Sequence, residues 1–332
     1  MCGLNNQQPA ARSSQPAIVF ERVTKRFPAA TYPAVDGVSL EVARGSLVVL
    51  LGPSGCGKTT LLKMVNRLYE HDEGRILFDG QEINSFKVTD LRRRIGYVIQ
   101  STGLFPHMNV ARNIATVPEM LGWSRERIQA RVDELLELVG LPPQEYRTRY
   151  PAELSGGEQQ RVGLARALAA DPLVMLMDEP FAAIDNITRR RLQDELLSIQ
   201  EKVKKTILFV THDVEEALRL ADLVAVMRAG KVVQYDTPLH ILSNPADSFV
   251  ASLVGTEDVV RRLSLLPVTA AMRPASGGYA ANGKVVEPTS TLREALNLLL
   301  SSNTDSLPVV SRVDGLVGLV GLEDIRGMMR DG

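Results

Sequence analysis

The feature that most narrows what this chain can fold into is Gly52-Pro53-Ser54-Gly55-Cys56-Gly57-Lys58-Thr59, followed by Thr60. Its spacing fits G-x-x-x-x-G-K-[ST]. It lies between an apolar run, Leu47–Leu51, and an amphipathic stretch, Lys58 to Tyr69, in which Leu61, Leu62, Val65, Leu68 and Tyr69 share one helical face. A strand that turns through glycines into a helix makes a phosphate site. The glycines let backbone N–H groups close around oxygen atoms, and the helix N-terminus adds a favourable dipole. In this pattern the lysine reaches the β- and γ-phosphates and the Thr59 hydroxyl ligates Mg²⁺. The expected ligands are ATP and Mg²⁺. Cys56 is then a small loop residue, not a nucleophile.

Further apolar runs, Arg94–Ile99, Val174–Met177, Thr206–Val210 and Leu223–Met227, alternate with amphipathic stretches such as Leu192, Leu196, Ile199 and Val203. Uniformly apolar strands are buried on both faces, so the pattern predicts an α/β domain with a largely parallel sheet. Residues 110–170 read as a helical subdomain, with Ser124 as a helix cap and Val132, Leu135, Leu136 and Val139 as its apolar stripe. The predicted organisation is a disordered tail over 1–16, an ATPase domain over 17–254, a linker over 255–266 and a small α+β unit over 267–330.

Composition narrows the function classes. With 38 Lys+Arg against 39 Asp+Glu in 332 residues, no global charge favours nucleic acid. Two cysteines, Cys2 and Cys56, exclude a disulfide framework and suit a reducing compartment. No apolar run approaches the length of about 20 residues that a membrane span needs, and the N-terminus lacks the apolar segment of a signal peptide. Any membrane role is expected to come through a partner.

A second chemical site is Met175-Leu176-Met177-Asp178-Glu179-Pro180. A carboxylate ending a buried strand is costly unless it is paired or near a metal. Asp178 therefore suits the Mg²⁺ shell, and Glu179 suits a base for an attacking water.

Leu154-Ser155-Gly156-Gly157-Glu158-Gln159-Gln160-Arg161 resembles the signature motif of ATP-binding cassette (ABC) proteins, with Glu158 where Gln is usual. The resemblance covers roughly Ile18 to Val254 and implies an ABC-type P-loop fold. It also implies that Ser155, Gly156 and Gly157 close over the γ-phosphate held by a second copy of the chain. On the same resemblance Phe27 stacks on adenine, and Gln100 is the Q-loop residue that meets Mg²⁺ and the attacking water. His212 is the switch histidine at the γ-phosphate. Asp185 is the D-loop aspartate acting across the dimer, with Ile184 where Leu is usual.

Gly103-Leu104-Phe105-Pro106-His107-Met108 resembles the importer surface that receives a permease, which places the protein peripherally on the cytoplasmic face of the cell membrane, with a substrate-binding protein as an indirect partner. The runs Leu61–Leu68, Arg94–Gln100 and Leu121–Ser124 are similar to importers of glycine betaine, carnitine, choline and proline. The alternatives are an importer ATPase for amino acids or sugars and an ABC ATPase with no transport role. The C-terminal order resembles one cystathionine-β-synthase (CBS) repeat: helix pattern Leu292, Ala295, Leu296, Leu299, strands Leu307–Val310 and Leu316–Val320, closing Glu323-Asp324-Ile325. Such repeats work in pairs, which implies pairing with the copy in a second subunit. Gly321 stands where ligand-binding repeats carry Ser or Thr, which argues against an adenosine ligand.

Overall fold

The computed structural model of the chain describes residues 15–28, 30–99, 103–182, 184–256, 258–274, 284–302, 304–311 and 313–330. They fall into two compact units, one ending at Tyr235 and one beginning at Asp236. The strands of the first unit, in chain order, are β1 (Ile18–Lys25), β2 (Val35–Val42), β3 (Leu47–Leu51), β4 (Glu73–Phe78), β5 (Gln81–Glu82), β6 (Ile95–Val98), β7 (Val174–Asp178), β8 (Thr206–Thr211), β9 (Leu223–Arg228) and β10 (Lys231–Asp236). They form a four-stranded sheet, β2-β1-β4-β5, and a six-stranded one, β10-β9-β3-β8-β7-β6.

Every residue of β3 and β8 is buried. Burial on both faces leaves no room for the polar alternation of a one-sided sheet, so β3 is apolar throughout and β8 is apolar between its terminal threonines. β3 pairs in parallel with β8 and β9, and β7 with β8 and β6. The register sets Leu51 opposite Thr211, Asp178 opposite Val210 and Val98 opposite Met177. The carboxyl ends of four neighbouring strands therefore lie along one sheet edge, where ligands bind in open α/β folds.

The helix after β3 is shorter than its apolar pattern predicts, spanning Lys58–Val65. Arg67 takes a left-handed φ of 47°, and the amides of Leu68 and Tyr69 both return to the Lys63 carbonyl. Leu68 and Tyr69, predicted on the buried face, are instead 45% and 37% exposed.

Residues 110–170 are helical as expected: Val110–Met120, Arg125–Leu138, Pro143–Tyr146 and Gly156–Leu168. Ser124 caps the second of these by accepting from the Arg127 amide at 3.3 Å. Val132, Leu135, Leu136 and Val139 are all buried.

The second unit has its own core, which includes Leu263, Val268, Val286, Leu299, Val309 and Ile325. Helix Leu292–Ser302 precedes a hairpin of β11 (Ser306–Ser311) and β12 (Gly315–Gly321), closed by helix Leu322–Arg330. Val286 bridges in parallel to Val309. With it the order becomes strand, helix, strand, strand, helix.

Candidate functional site

The loop between β3 and its helix tolerates no side chain at two positions. A Cβ on Gly52 would lie 2.3 Å from the Met227 carbonyl oxygen. One on Gly57, at φ 107°, would lie 2.2 Å from that of Ala34. Pro53, Ser54 and Gly55 are exposed at the crest, while Cys56, Gly57 and Lys58 are buried beneath it. The Lys58 ammonium donates to the carbonyls of Gly52 (2.7 Å) and Pro53 (2.9 Å), so a cation sits against the concave side of the loop. Burial pushes the Cys56 thiol up, against the opposing charge of Lys58. A neutral thiol suits a packing residue rather than a nucleophile.

The end of β7 supplies the acids. The Thr59 hydroxyl donates to Asp178 Oδ1 at 2.8 Å, so the two residues expected to hold Mg²⁺ touch. One hydroxyl and one carboxylate are hard oxygen donors that suit this ion, which takes few protein ligands and fills the rest of its shell with water and phosphate oxygens. The next residue, Glu179, has a left-handed φ of 45°, a strained conformation for a residue with a side chain. Its amide donates to the Val210 carbonyl at 3.0 Å, and Oε2 lies 3.1 Å from His212 Nδ1. Glu179 and His212, 33 positions apart, meet because β7 and β8 are neighbours.

Ser155 caps helix Gly156–Leu168. Ser155 and Gly156 are exposed, and a Cβ on Gly156 would meet nothing within 4 Å. Ser155-x-x-Glu158 is a capping box, a pattern legible in the sequence that the comparison with the usual Gln obscures. Glu158 Oε2 accepts from the Ser155 amide (2.7 Å) and hydroxyl (2.8 Å), and the Tyr146 hydroxyl donates to Oε1 at 2.5 Å. Chiefly the Tyr146 bond, then those from Ser155, hold the Glu158 carboxyl below its ordinary range. Gln160, buried, donates to the Pro180 carbonyl at 2.7 Å and ties this helix to the acidic strand end. Tyr146 belongs to none of the motifs, and the bond that Gln160 makes from within the signature run to Pro180 leaves no trace in the sequence.

Residues 35–182 match the ABC transporter family model and residues 282–331 the CBS domain model. The chain is 49% identical over 309 residues to the glycine betaine uptake system ATP-binding protein YehX of Escherichia coli (strain K12), covering 93% of this chain and 98% of that one. It is 47% identical to the glycine betaine/carnitine/choline transport ATP-binding protein OpuCA of Bacillus subtilis (strain 168), over 88% of this chain and 75% of that one. Among solved structures it resembles cbiO1 from Clostridium perfringens, part of the ABC transporter complex cbiONQ, with a TM-score of 0.66 and 26% identity over 75% of this chain and 95% of that chain. A dimeric ATP-binding cassette in a post-hydrolysis state bound to ADP and Pi gives 0.59 and 30%, over 67% of this chain and 98% of that one.

This chain belongs to the ATP-binding subunits of ABC transporters.

The ABC cassette binds ATP and is an ATPase, and its second unit contains a CBS domain. Phe27 follows β1, half-buried rather than in the core, with its ring 5.3 Å from that of Tyr69 in an edge contact and the Lys25 ammonium 5.8 Å above it. Asp185 caps helix Asn186–Val203, accepting from the amides of Ile187 and Thr188 at 3.1 and 3.0 Å. The Thr188 bond is the chief cause that lowers its carboxyl. Gln100 lies outside the described residues, two positions beyond the end of β6. The loop from Gly103 to Met108 is held from beneath by buried Asn113, which accepts from the Phe105 amide (2.8 Å) and donates to the carbonyls of Phe105 and Met108. Its Phe105, Pro106 and His107 are exposed. Among the described residues no helix is long and apolar enough to cross a membrane.

Proposed function

We propose that this cassette hydrolyses ATP to drive uptake of a small quaternary-amine osmoprotectant of the glycine betaine, carnitine or choline class. The observation that carries the cargo class is the 49% identity to a glycine betaine uptake ATPase over 98% of that protein's length, CBS domain region included. The cargo itself never touches this subunit.

In this reading Lys58 exchanges the carbonyls of Gly52 and Pro53 for the β- and γ-phosphate oxygens, with the amides of residues 53 to 60 around them. Mg²⁺, held by Thr59, Asp178 and Gln100, supplies charge neutralisation when bound. Glu179 takes the proton of the attacking water. Its contact to His212 Nδ1 leaves Nε2 free to face the γ-phosphate. Phe27 offers its ring to adenine. The exposed Ser155-Gly156-Gly157 helix end and Asp185 serve the nucleotide of a second cassette, so two chains form two composite sites. That dimer lies peripherally on the cytoplasmic side of the membrane. The exposed Phe105–His107 loop docks the permease, and a substrate-binding protein acts through the permease. The functional ATPase module runs over 17–254 and the regulatory repeat over 267–330, and the segment 255–266 that joins them adds Leu263 to the core of the second unit. Asp324 Oδ2 is engaged within the chain by the Gly321 amide (2.7 Å) and Arg273 (3.2 Å), which supports a role for the repeat other than adenosine binding.

The test is ATPase activity of the cassette reconstituted with its permease and a panel of cargo-loaded binding proteins. Stimulation by quaternary amines and not by sugars or amino acids is expected. Stimulation by a sugar or amino-acid system replaces the cargo assignment, and activity indifferent to any permease removes the transport reading.

A further inference from the structure

Arg189 lies in the first turn of helix Asn186–Val203, four residues after Asp185. Its planar guanidinium can serve several acceptors at fixed angles. Here Nη2 donates to the Ile184 carbonyl at 2.9 Å, and Nη1 to Asp213 Oδ2 at 3.3 Å. One acceptor stands immediately before Asp185 and the other immediately after His212. The third donor, Nε, is buried and meets no acceptor among the described residues. Arg189 lines a cavity of about 40 Å³ together with Glu179, His212, Asp213 and Glu216. That volume is large enough to admit water beside the two groups assigned to hydrolysis.

Asp213 is held on every side. Its Oδ1 accepts from the Glu216 amide at 3.2 Å and caps helix Val214–Leu220, while its own amide donates to Thr211 Oγ1 at 3.0 Å. His212 is thus fixed between two anchored neighbours, and Arg189 is the anchor that comes from the D-loop.

We propose that Arg189 is a positioning residue that transmits engagement of the D-loop by a second cassette to His212. A shift of the Ile184–Asp185 segment carries the guanidinium, the guanidinium carries Asp213, and Asp213 carries the histidine that meets Glu179. Hydrolysis in one site then senses occupancy of the other. The inference rests on the composite-site reading above and assigns it a wire. The bland alternative, an ion pair that merely fastens a helix to a strand end, predicts lost stability but no change in cooperativity.

The experiment uses the full chain and measures steady-state hydrolysis against ATP concentration, affinity for a fluorescent ATP analogue, and ATP-driven dimer formation in a Glu179→Gln background. Arg189→Ala is expected to lower kcat by on the order of ten- to a hundredfold, as small misplacements of reacting groups do. The Hill coefficient should fall toward one, with analogue affinity and the trapped dimer unchanged. Asp213→Asn retains a competent helix cap and removes only the charge, so it guards against a misfolded arginine variant. It should give the same loss of cooperativity, and Arg189→Ala combined with Asp213→Asn should be no worse than either alone. An unchanged Hill coefficient in Asp213→Asn, or losses that multiply in the double variant, overturns the coupling. Failure of the underlying composite-site reading looks different, because Ser155→Arg would then still hydrolyse ATP cooperatively.

Discussion

Replacing Glu179 by Gln tests the site most directly, because the change deletes a proton acceptor while keeping shape. Glu179 holds a left-handed backbone that costs a residue with a side chain about 1–2 kcal/mol. Gln bears the same cost, so the folded state should be no less stable. The amide can still meet His212 at a distance near the present 3.1 Å. Only basicity is lost. A positioned general base contributes about 10²- to 10⁴-fold. At 1.36 kcal/mol per decade, that is about 3–5 kcal/mol of transition-state stabilisation. The expected result is a fall of that size in phosphate release with an unchanged melting temperature, unchanged affinity for ATP and an ATP-bound dimer visible on gel filtration. Glu179→Gly provides a control: it should raise stability by relieving the strain and still hydrolyse nothing. A Gln variant that turns over within threefold of wild type would refute the assignment of the base. One that loses ATP binding would show that the residue is part of the nucleotide cradle.

Ser155→Arg puts a long side chain at the exposed helix end, so analogue binding by the single chain should stay within a factor of two while dimerisation and hydrolysis fail; cooperative turnover by this variant would defeat the two-chain site. Glu216 is buried, and desolvation raises its pKa against hydrogen bonds from Thr211 and Gln193. The folded state thus binds this proton more tightly than the unfolded one. The group's contribution to stability is full below the ordinary carboxylate range and is lost as pH rises through the elevated value. The melting temperature of Glu216→Gln relative to wild type should therefore climb from pH 4 to pH 8, and a flat difference would contradict the burial argument. Gly321→Ala sets a Cβ 2.7 Å from the Asp305 carbonyl oxygen and should destabilise the CBS-containing unit by about 1–3 kcal/mol in a denaturant titration, with no gain of affinity for AMP.

What the sequence determined on its own is the chemistry whose geometry is local. The loop Gly52–Thr59 needs only a strand, glycines and a helix start, all contiguous, so its place and its lysine were legible from spacing. The uniformly apolar β3 and the apolar centre of β8 announced a buried parallel sheet for the same reason, since burial on both faces leaves no polar alternation. The CBS-like order was likewise readable, as a run of short elements in chain order. Tertiary structure decided what lies across the strand order. Thr59 touches Asp178 across 119 positions, and Glu179 meets His212, because β8 inserts between β3 and β7; nothing in either segment specifies that neighbour. The helix after the loop stops at Val65 despite an apolar pattern that runs on to Tyr69, because the left-handed turn at Arg67 leads the chain away. Arg189, Tyr146 and Gln160 are ordinary residues by type, and each gains its meaning from a carbonyl or carboxylate brought to it from elsewhere in the chain. A hydrogen-bond partner distant in sequence leaves no periodic or spaced trace, and so only the folded chain reveals it.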